Sequence, residues 1–301
     1  MAIFLTVVVP VMVILTAGAL FARVTQTDVG PISKLSLYLL SPVLVFSYIA
    51  DSSLTRQELG AASGFVVLYM VAMTAVGALV VVLLRWPREL LGPALLTTVF
   101  PNSGNYGLPV LLFAFGEAGF ERGVAVVVLQ FVLMYSVGVY FASMQGQFRR
   151  ALLNIAKQPT VYAGLAGYVF TFTGIELPVA VAEPIRLVAA AGVPVLLLVL
   201  GMQLADTRLE RIAGFVGVTS LVRLLLGPLV ALGVVAVMGI TGLLADVLVV
   251  QAAMPPAILM SLLAIEFDSR PDLVSGGIML GTLLSFVTLV PLLALVERMQ
   301  L

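Results

Sequence analysis

The sequence predicts an all-α polytopic membrane protein with ten transmembrane helices in two inverted five-helix repeats, helices four and nine being broken crossover helices. Composition is the first observation behind this. Of 301 residues, 61% are hydrophobic and only 10% charged, with a mean hydropathy of +1.19, far outside the range of a soluble domain. Second, apolar runs recur at the length that crosses roughly 30 Å of hydrocarbon, about 20 residues. Third, the runs repeat weakly. Ser41-Pro42-Val43-Leu44, followed by Asp51, is echoed by Val193-Pro194-Val195-Leu196, followed by Asp206, and Pro101 is echoed by Pro255-Pro256. The offsets are 152 residues from Ser41 to Val193 and 154 from Pro101 to Pro255. Five spans per copy is an odd number, so the second copy is inverted relative to the first, the plan of many secondary transporters.

The ten runs lie near 2 to 22, 32 to 50, 61 to 84, 91 to 115, 122 to 144, 159 to 175, 184 to 204, 213 to 240, 246 to 267 and 273 to 296. Residues 2 to 22 lack the basic n-region of a signal peptide and are long enough to span, so they read as a retained first helix. The sixth run, Pro159 to Ile175, is short and carries Gly164, Gly167 and Gly174; without it the count falls to nine. Residues 1–145 and 159–301 form the two repeats, joined by a cytoplasmic linker at 146–158.

Lysine and arginine set the orientation. Loops after odd-numbered spans hold Arg23, Lys34, Arg85, Arg88, Arg149, Arg150, Lys157, Arg208, Arg211 and Arg270, whereas the other side holds only Arg56, Arg122, Arg186 and Arg298. The odd loops are therefore expected in the cytoplasm and both termini outside, in a multi-pass protein of the plasma membrane (the inner membrane of a bacterium).

Several function classes are excluded. The net charge is zero, the pI is about 6.3 and no polybasic block occurs, so no nucleic-acid partner is expected. There is no Cys and no His, which removes thiolate and imidazole chemistry. No carboxylate lies clearly at the midplane, so neither a metal site, a cofactor nor an enzyme is predicted.

The chain is organised around Phe100-Pro101-Asn102-Ser103-Gly104-Asn105-Tyr106-Gly107-Leu108-Pro109. Interior prolines remove a donor and clash with the carbonyl four residues earlier, so Pro101 frees the Thr97 carbonyl and Pro109 that of Asn105. In span nine, Pro255 frees the Gln251 carbonyl and Pro256 that of Ala252. Irregular backbone at membrane depth is tolerated only where it is buried in protein or lines a cavity. Each break exposes a half-helix N-terminus, which attracts anions. Asn102, Ser103 and Asn105 add donors and acceptors, and Gly104 and Gly107 permit close approach. The competing reading is that these residues merely kink their helices.

Pro101, Asn102, Ser103, Gly104, Asn105, Tyr106, Gly107, Pro109, Pro255 and Pro256 are thus the candidate substrate-binding residues, with Ser261, Gln130 and Arg223 added for their place inside spans. Arg223 is open to two readings: it attracts an anionic substrate, or it snorkels to the cytoplasmic surface. Gln130, Tyr135 and Ser136 form a polar patch in span five, where interhelical hydrogen bonding competes with ligand binding. Met202, Met254 and Met260 read as packing.

The run from Pro101 to Pro109 resembles the crossover motif of the auxin efflux carrier family of membrane permeases. Leu35 to Asp51 is similar to that family's second span, Met254-Pro255-Pro256 onward to its second crossover, and Leu280 to Leu292 to its last helix. The resemblance implies a scaffold domain and a transport domain, as in bile-acid/sodium symporters. It also implies an organic-anion substrate: auxin in plants, dicarboxylates such as malate or malonate in some bacterial members. Asn102 and Asn105 match the motif's polar positions. The large loop of long plant members is absent, which implies a compact bacterial-type permease. After the second proline pair the chain reads Ala257-Ile258-Leu259-Met260-Ser261, where relatives often place a polar group, so sodium coupling is not assigned. The expected function is a secondary transporter of a small organic anion, a mono- or dicarboxylate, working by alternating access. An anion channel and a non-transporting sensor are the alternatives. The coupling ion stays open between proton and sodium, and a homodimer is compatible with apolar outer faces that any span shares.

Overall fold

The computed structural model describes residues 3–143, 156–206 and 213–299. Arg149, Arg150, Arg208, Arg211, residues 146–155 of the expected linker and the Asp206 side chain lie outside what is described. The described residues are almost wholly helical, and their β-type pairing is one isolated bridge between Pro101 and Pro256.

Seven helices among the described residues are long and apolar enough to cross a membrane. They are α1 (Phe4–Thr25), α2 (Val29–Ala50), α3 (Arg56–Leu83), α5 (Ser103–Ser143), α7 (Val179–Asp206), α8 (Gly214–Met238) and α11 (Pro271–Met299). Shorter helices fill the intervals: α4 (Leu91–Val99), α6 (Pro159–Thr173), α9 (Leu243–Ala252) and α10 (Leu259–Glu266). Of the ten expected spans, four and nine were expected to be broken, and the prolines break both. Span four is divided into α4 and the start of α5, and span nine into α9 and α10. Span six runs only 15 residues before Gly174 ends it in the left-handed region, about 22 Å at 1.5 Å per residue. Within α5 the chain folds back at Gly116, whose φ of 64° and ψ of −160° are non-helical. Gly123 then faces Leu108 and Leu111, and Gly104 faces Val127 and Phe131, so residues 103–115 and 117–143 are antiparallel arms.

Local chemistry explains the ends and irregularities. Thr55 and Glu58 form a reciprocal capping box at the start of α3, and the Asp28 carboxylate accepts the Gly30 N–H at 2.9 Å before α2, each satisfying donors that a helix start leaves free. Wide π-turns at Phe4–Val8, Ser36–Leu40, Ser103–Gly107 and Val222–Leu226 stand just before Pro10, Pro42, Pro109 and Pro228. In each, the residue preceding the proline donates five residues back, which makes room for a ring that cannot fit a regular turn.

Packing divides the helices into two sets. In one, α1 runs along α7 and α2 along α6, with α2 also against α7; in the other, α3, α4, α5, α8, α9 and α11 pack together. Glycine sets the closest approach. Gly18 faces the Leu198 carbonyl and Gly201 the Leu15 carbonyl, each so closely that a Cβ would overlap the partner backbone. Small residues of this kind let helices meet in lipid by van der Waals contact, where no hydrophobic drive exists between spans.

This predicts that Gly201→Val destabilises the protein by at least about 1–3 kcal/mol, the usual range for overpacking. Gly217→Ala, where a Cβ meets nothing within 4 Å, should be neutral or slightly stabilising. Thermal melting of detergent-solubilised protein checks both; equal melting temperatures for the two variants would contradict the packing.

Candidate functional site

The two proline breaks meet. Phe100 is extended (φ −99°, ψ 109°), and Asn102 is non-helical (φ −77°, ψ 62°). Across from them, residues 253–258 leave the helix between α9 and α10. The Asn102 N–H donates to the Pro255 carbonyl at 2.7 Å, and the Ala257 N–H donates to the Phe100 carbonyl at 2.9 Å. Each break thereby satisfies backbone groups of the other. Gly281 on α11 admits this crossing, since a Cβ there would stand 2.7 Å from Pro256 Cδ.

A cavity of about 90 Å³ lies beside the crossing, several times what one water needs. It is lined by Pro101, Asn102, Ser103, Gly104, Asn105 and Gln130, by α2 and α7, and by Ala257, Ile258 and Leu259. No charged side chain lines it among the described residues. Asn102 Nδ2, Ser103 Oγ, Gln130 Oε1 and Ser36 Oγ are buried without a hydrogen-bond partner among the described residues. Buried polar groups are nearly always paired, so four orphans at one cavity mark a place built for a polar guest or water. The first turn of residues 103–115 adds N–H groups that have no intrahelical carbonyl. The α10 side is apolar, which matches the unequal halves expected from Ala257 to Ser261.

Beyond Ser41, toward the other end of α2, packed side chains end the cavity. Leu44, Val45 and Ile49 are buried with Leu108, Phe120 and Val124, and the Tyr48 and Phe120 rings lie 4.5 Å apart. Glu121 accepts from the Ser52 hydroxyl at 2.5 Å and from the Ser53 N–H, tying the α2–α3 turn to α5.

The other predicted residues stand elsewhere. Tyr106 is fully buried, its ring edge-on to Phe286 with centroids 6.0 Å apart. Gly107 lies against Met254, its N–H bonded to the Asn102 carbonyl at 2.9 Å. Pro109 is buried after the π-turn, and Pro255 and Pro256 sit in the crossing itself. Ser261 turns its hydroxyl back to the Ile258 carbonyl at 2.8 Å and is not in the cavity wall. Ser136 bonds the Val132 carbonyl at 2.7 Å, and Tyr135 stacks on Phe131, so of that patch only Gln130 faces the cavity. Met202, Met254 and Met260 are core residues.

Arg223 neither snorkels nor reaches the cavity. It is fully buried, with Nε 3.0 Å from the Met254 carbonyl, Nη1 2.9 Å and 3.2 Å from those of Thr98 and Val99, and Nη2 on that of Ala252. Its guanidinium carbon is 5.7 Å from the Tyr69 ring centre, and the Tyr69 hydroxyl also donates to Ala252, at 3.2 Å. The carbonyl that Pro256 frees is thus taken within the protein, and Gln251's accepts the Met254 N–H at 3.2 Å.

Residues the sequence reading missed are Ser33, Ser36, Ser41 and Gln203, all in the cavity wall, Gln203 Nε2 donating to Ser33 Oγ at 3.0 Å. Their signal was available: hydroxyls at 33 and 36 share one helix face in an apolar span, as does a lone amide in span seven.

Ser285 Oγ lies 2.9 Å from Tyr106 Oη and 2.7 Å from the Thr282 carbonyl. A serine has one proton and a carbonyl only accepts, so Tyr106 donates to Ser285. Tyr106→Phe should therefore cost about 0.5–1.5 kcal/mol, and adding Ser285→Ala should cost less than the separate effects combined. Full additivity in thermal melts would contradict the pairing.

The model of the family described as membrane transport protein matches residues 3–293. An uncharacterized transporter of Methanothermobacter thermautotrophicus is 29% identical over 272 residues, covering 88% of each chain. Another, from Methanocaldococcus jannaschii, is 24% identical over 297 residues, covering 94% of this chain and 96% of that one. The probable auxin efflux carrier component 1b of rice (Oryza sativa subsp. japonica) is 28% identical over 144 residues, 46% of this chain and 26% of the plant protein. With its family model matched almost end to end, its apolar helices and its broken pair at the centre, the chain belongs to the membrane transport protein family, that of the auxin efflux carriers.

Proposed function

We propose that the protein is a secondary transporter of a small organic anion, a mono- or dicarboxylate, working by alternating access at the crossing. The observation that carries this is the convergence of three unpartnered donors, Asn102 Nδ2, Ser103 Oγ and Ser36 Oγ, on one cavity beside a half-helix N-terminus. Taking a carboxylate out of water costs several kcal/mol, and a hydrogen bond to a charged group returns about 1.5–3 kcal/mol. Two or three donors must converge, and Asn102, Ser103 and the first-turn N–H groups supply them. The rice relative's name, auxin efflux carrier, puts a carboxylate such as auxin among the ligands to test.

The inverted-repeat reading, with repeats at 1–145 and 159–301, has support in the packing register. Shifted by the 152 residues of the sequence echo, the contact of Leu15 with Gly201 becomes that of Gly167 with Ile49, and Gly18 with Leu198 becomes Phe170 with Phe46. Shifted by 155, the distance from Asn102 to Ala257, the bond from Asn102 to Pro255 becomes the bond from Ala257 to Phe100. Ten spans follow if α4 with residues 103–115, and α9 with α10, are each one broken span. The scaffold is then α1, α2, α6 and α7, and the remaining helices move against it. In the orientation favoured by lysine and arginine, both termini lie outside and the cavity is on the cytoplasmic side, shut from the outside by the Leu44 to Ser53 face.

In proteoliposomes, uptake of labelled malate, malonate or auxin should saturate and show counterflow. Replacing Asn102 and Asn105 together by Ala should lower it at least tenfold; unchanged flux in a correctly inserted double mutant would refute the site. Because the chain has no native cysteine, Ser52→Cys with Glu121→Cys can be bridged cleanly by a short bismaleimide. Bridging should stop flux, whereas flux that survives complete bridging would favour a static pore.

A further inference from the structure

Arg223 is a full positive charge held in the membrane-spanning part of the protein and absent from the cavity wall. Burying such a group is costly, and the cost persists only where its partners are fixed. Here those partners are not scattered. Thr98 and Val99 are the last residues of α4, Ala252 is the last of α9, and Met254 follows it. All four carbonyls belong to the C-terminal ends of the two half-helices that stop at the crossing. Each such end carries about half a negative charge from the helix dipole, and each N-terminal end about half a positive one.

We infer that Arg223 is a positioning residue: one guanidinium clamps the C-terminal ends of both half-helices and cancels their charge. Two half-charges of one sign match the single charge of one arginine. The positive N-terminal ends at Ser103 and Leu259 then face the cavity without opposing negative ends nearby, so the cavity attracts an anion although it contains no cation. Tyr69 supports the clamp twice, its ring under the guanidinium and its hydroxyl on Ala252. The α8 backbone reaches this point because Gly227 is bare: a Cβ there would stand 2.8 Å from the Ala252 carbonyl oxygen. The affinity part of the inference rests on the cavity being an anion site; the clamp does not.

The test uses the full chain in lipid nanodiscs as wild type, Arg223→Lys, Arg223→Gln and Arg223→Met. Amide exchange is followed at Asn102 and at Ala253, Met254 and Ala257, the residues of the second break that carry an N–H, with α1 and α7 as internal reference. Both neutral variants should exchange at least tenfold faster at the two breaks and unchanged in the reference helices, and Arg223→Lys should restore protection to within threefold of wild type. Unchanged exchange at either break, or a rise spread evenly over the chain, would overturn the clamp. If neither neutral variant assembles, Arg223→Lys must assemble; its failure alongside them would overturn the charge requirement. Calorimetric titration with malonate and with auxin adds the second readout, in which neutral variants should bind at least fivefold more weakly and the lysine variant as wild type. Equal affinity in all forms would overturn the electrostatic part. A wild type that binds no carboxylate contradicts the proposed function instead and leaves the exchange result standing.

Discussion

Two peptide hydrogen bonds hold the middle of this protein: the Asn102 N–H on the Pro255 carbonyl and the Ala257 N–H on the Phe100 carbonyl. In water either proline break would be hydrated and unremarked. In a bilayer an unpaired peptide group costs several kcal/mol, so neither break is tolerable alone, and each is the other's solvent. Much of the surrounding architecture follows from bringing them together. Gly281 gives Pro256 room, Gly107 lets Met254 approach, and Tyr106 anchors the segment to α11 through Ser285. The residues that looked from the sequence like one long binding motif thus divide their labour between building the crossing and facing the cavity.

The crossing has two unlike sides. Toward α3 and α8, helix C-termini end on Arg223 and Tyr69; toward α2 and α7, the start of α5 and the orphaned side chains of Asn102 and Ser103 face open space. On the first side Arg223 and Tyr69 satisfy the carbonyls of the helix ends, whereas on the second Asn102 Nδ2 and Ser103 Oγ have no partner among the described residues. A protein that only needed kinked helices would have no reason for that asymmetry, since orphaned buried donors are a standing cost. It is the arrangement expected when one side is structural and the other exchanges its partner for a guest.

Much of this was legible in the residues. Proline in an apolar run cannot be hidden, so the breaks at Pro101 and Pro255-Pro256 and the 152-residue echo could be read directly. Arg223 could not, because one sequence position leaves open whether a cation in a span snorkels to the surface or is buried, and names none of the carbonyls it meets; those lie 125 residues away at Thr98 and 29 away at Ala252. The fold-back at Gly116 falls where runs four and five were separated, between 115 and 122; what the residues did not mark is that one glycine with a φ of 64° makes the turn inside a continuous 41-residue helical stretch. Ser33, Ser36 and Gln203 escaped because serines and amides in spans usually bond within or between helices, and their joint cavity appears only when α2 and α7 are side by side.

The most direct measurement is an experimental density map of the protein in a lipid nanodisc with an iodinated carboxylate. The account predicts backbone broken at residues 100–102 and 253–258, with the carboxylate within hydrogen-bonding distance of Asn102 and Ser103. Continuous helical density through either break, or a carboxylate seated on Arg223, would contradict it.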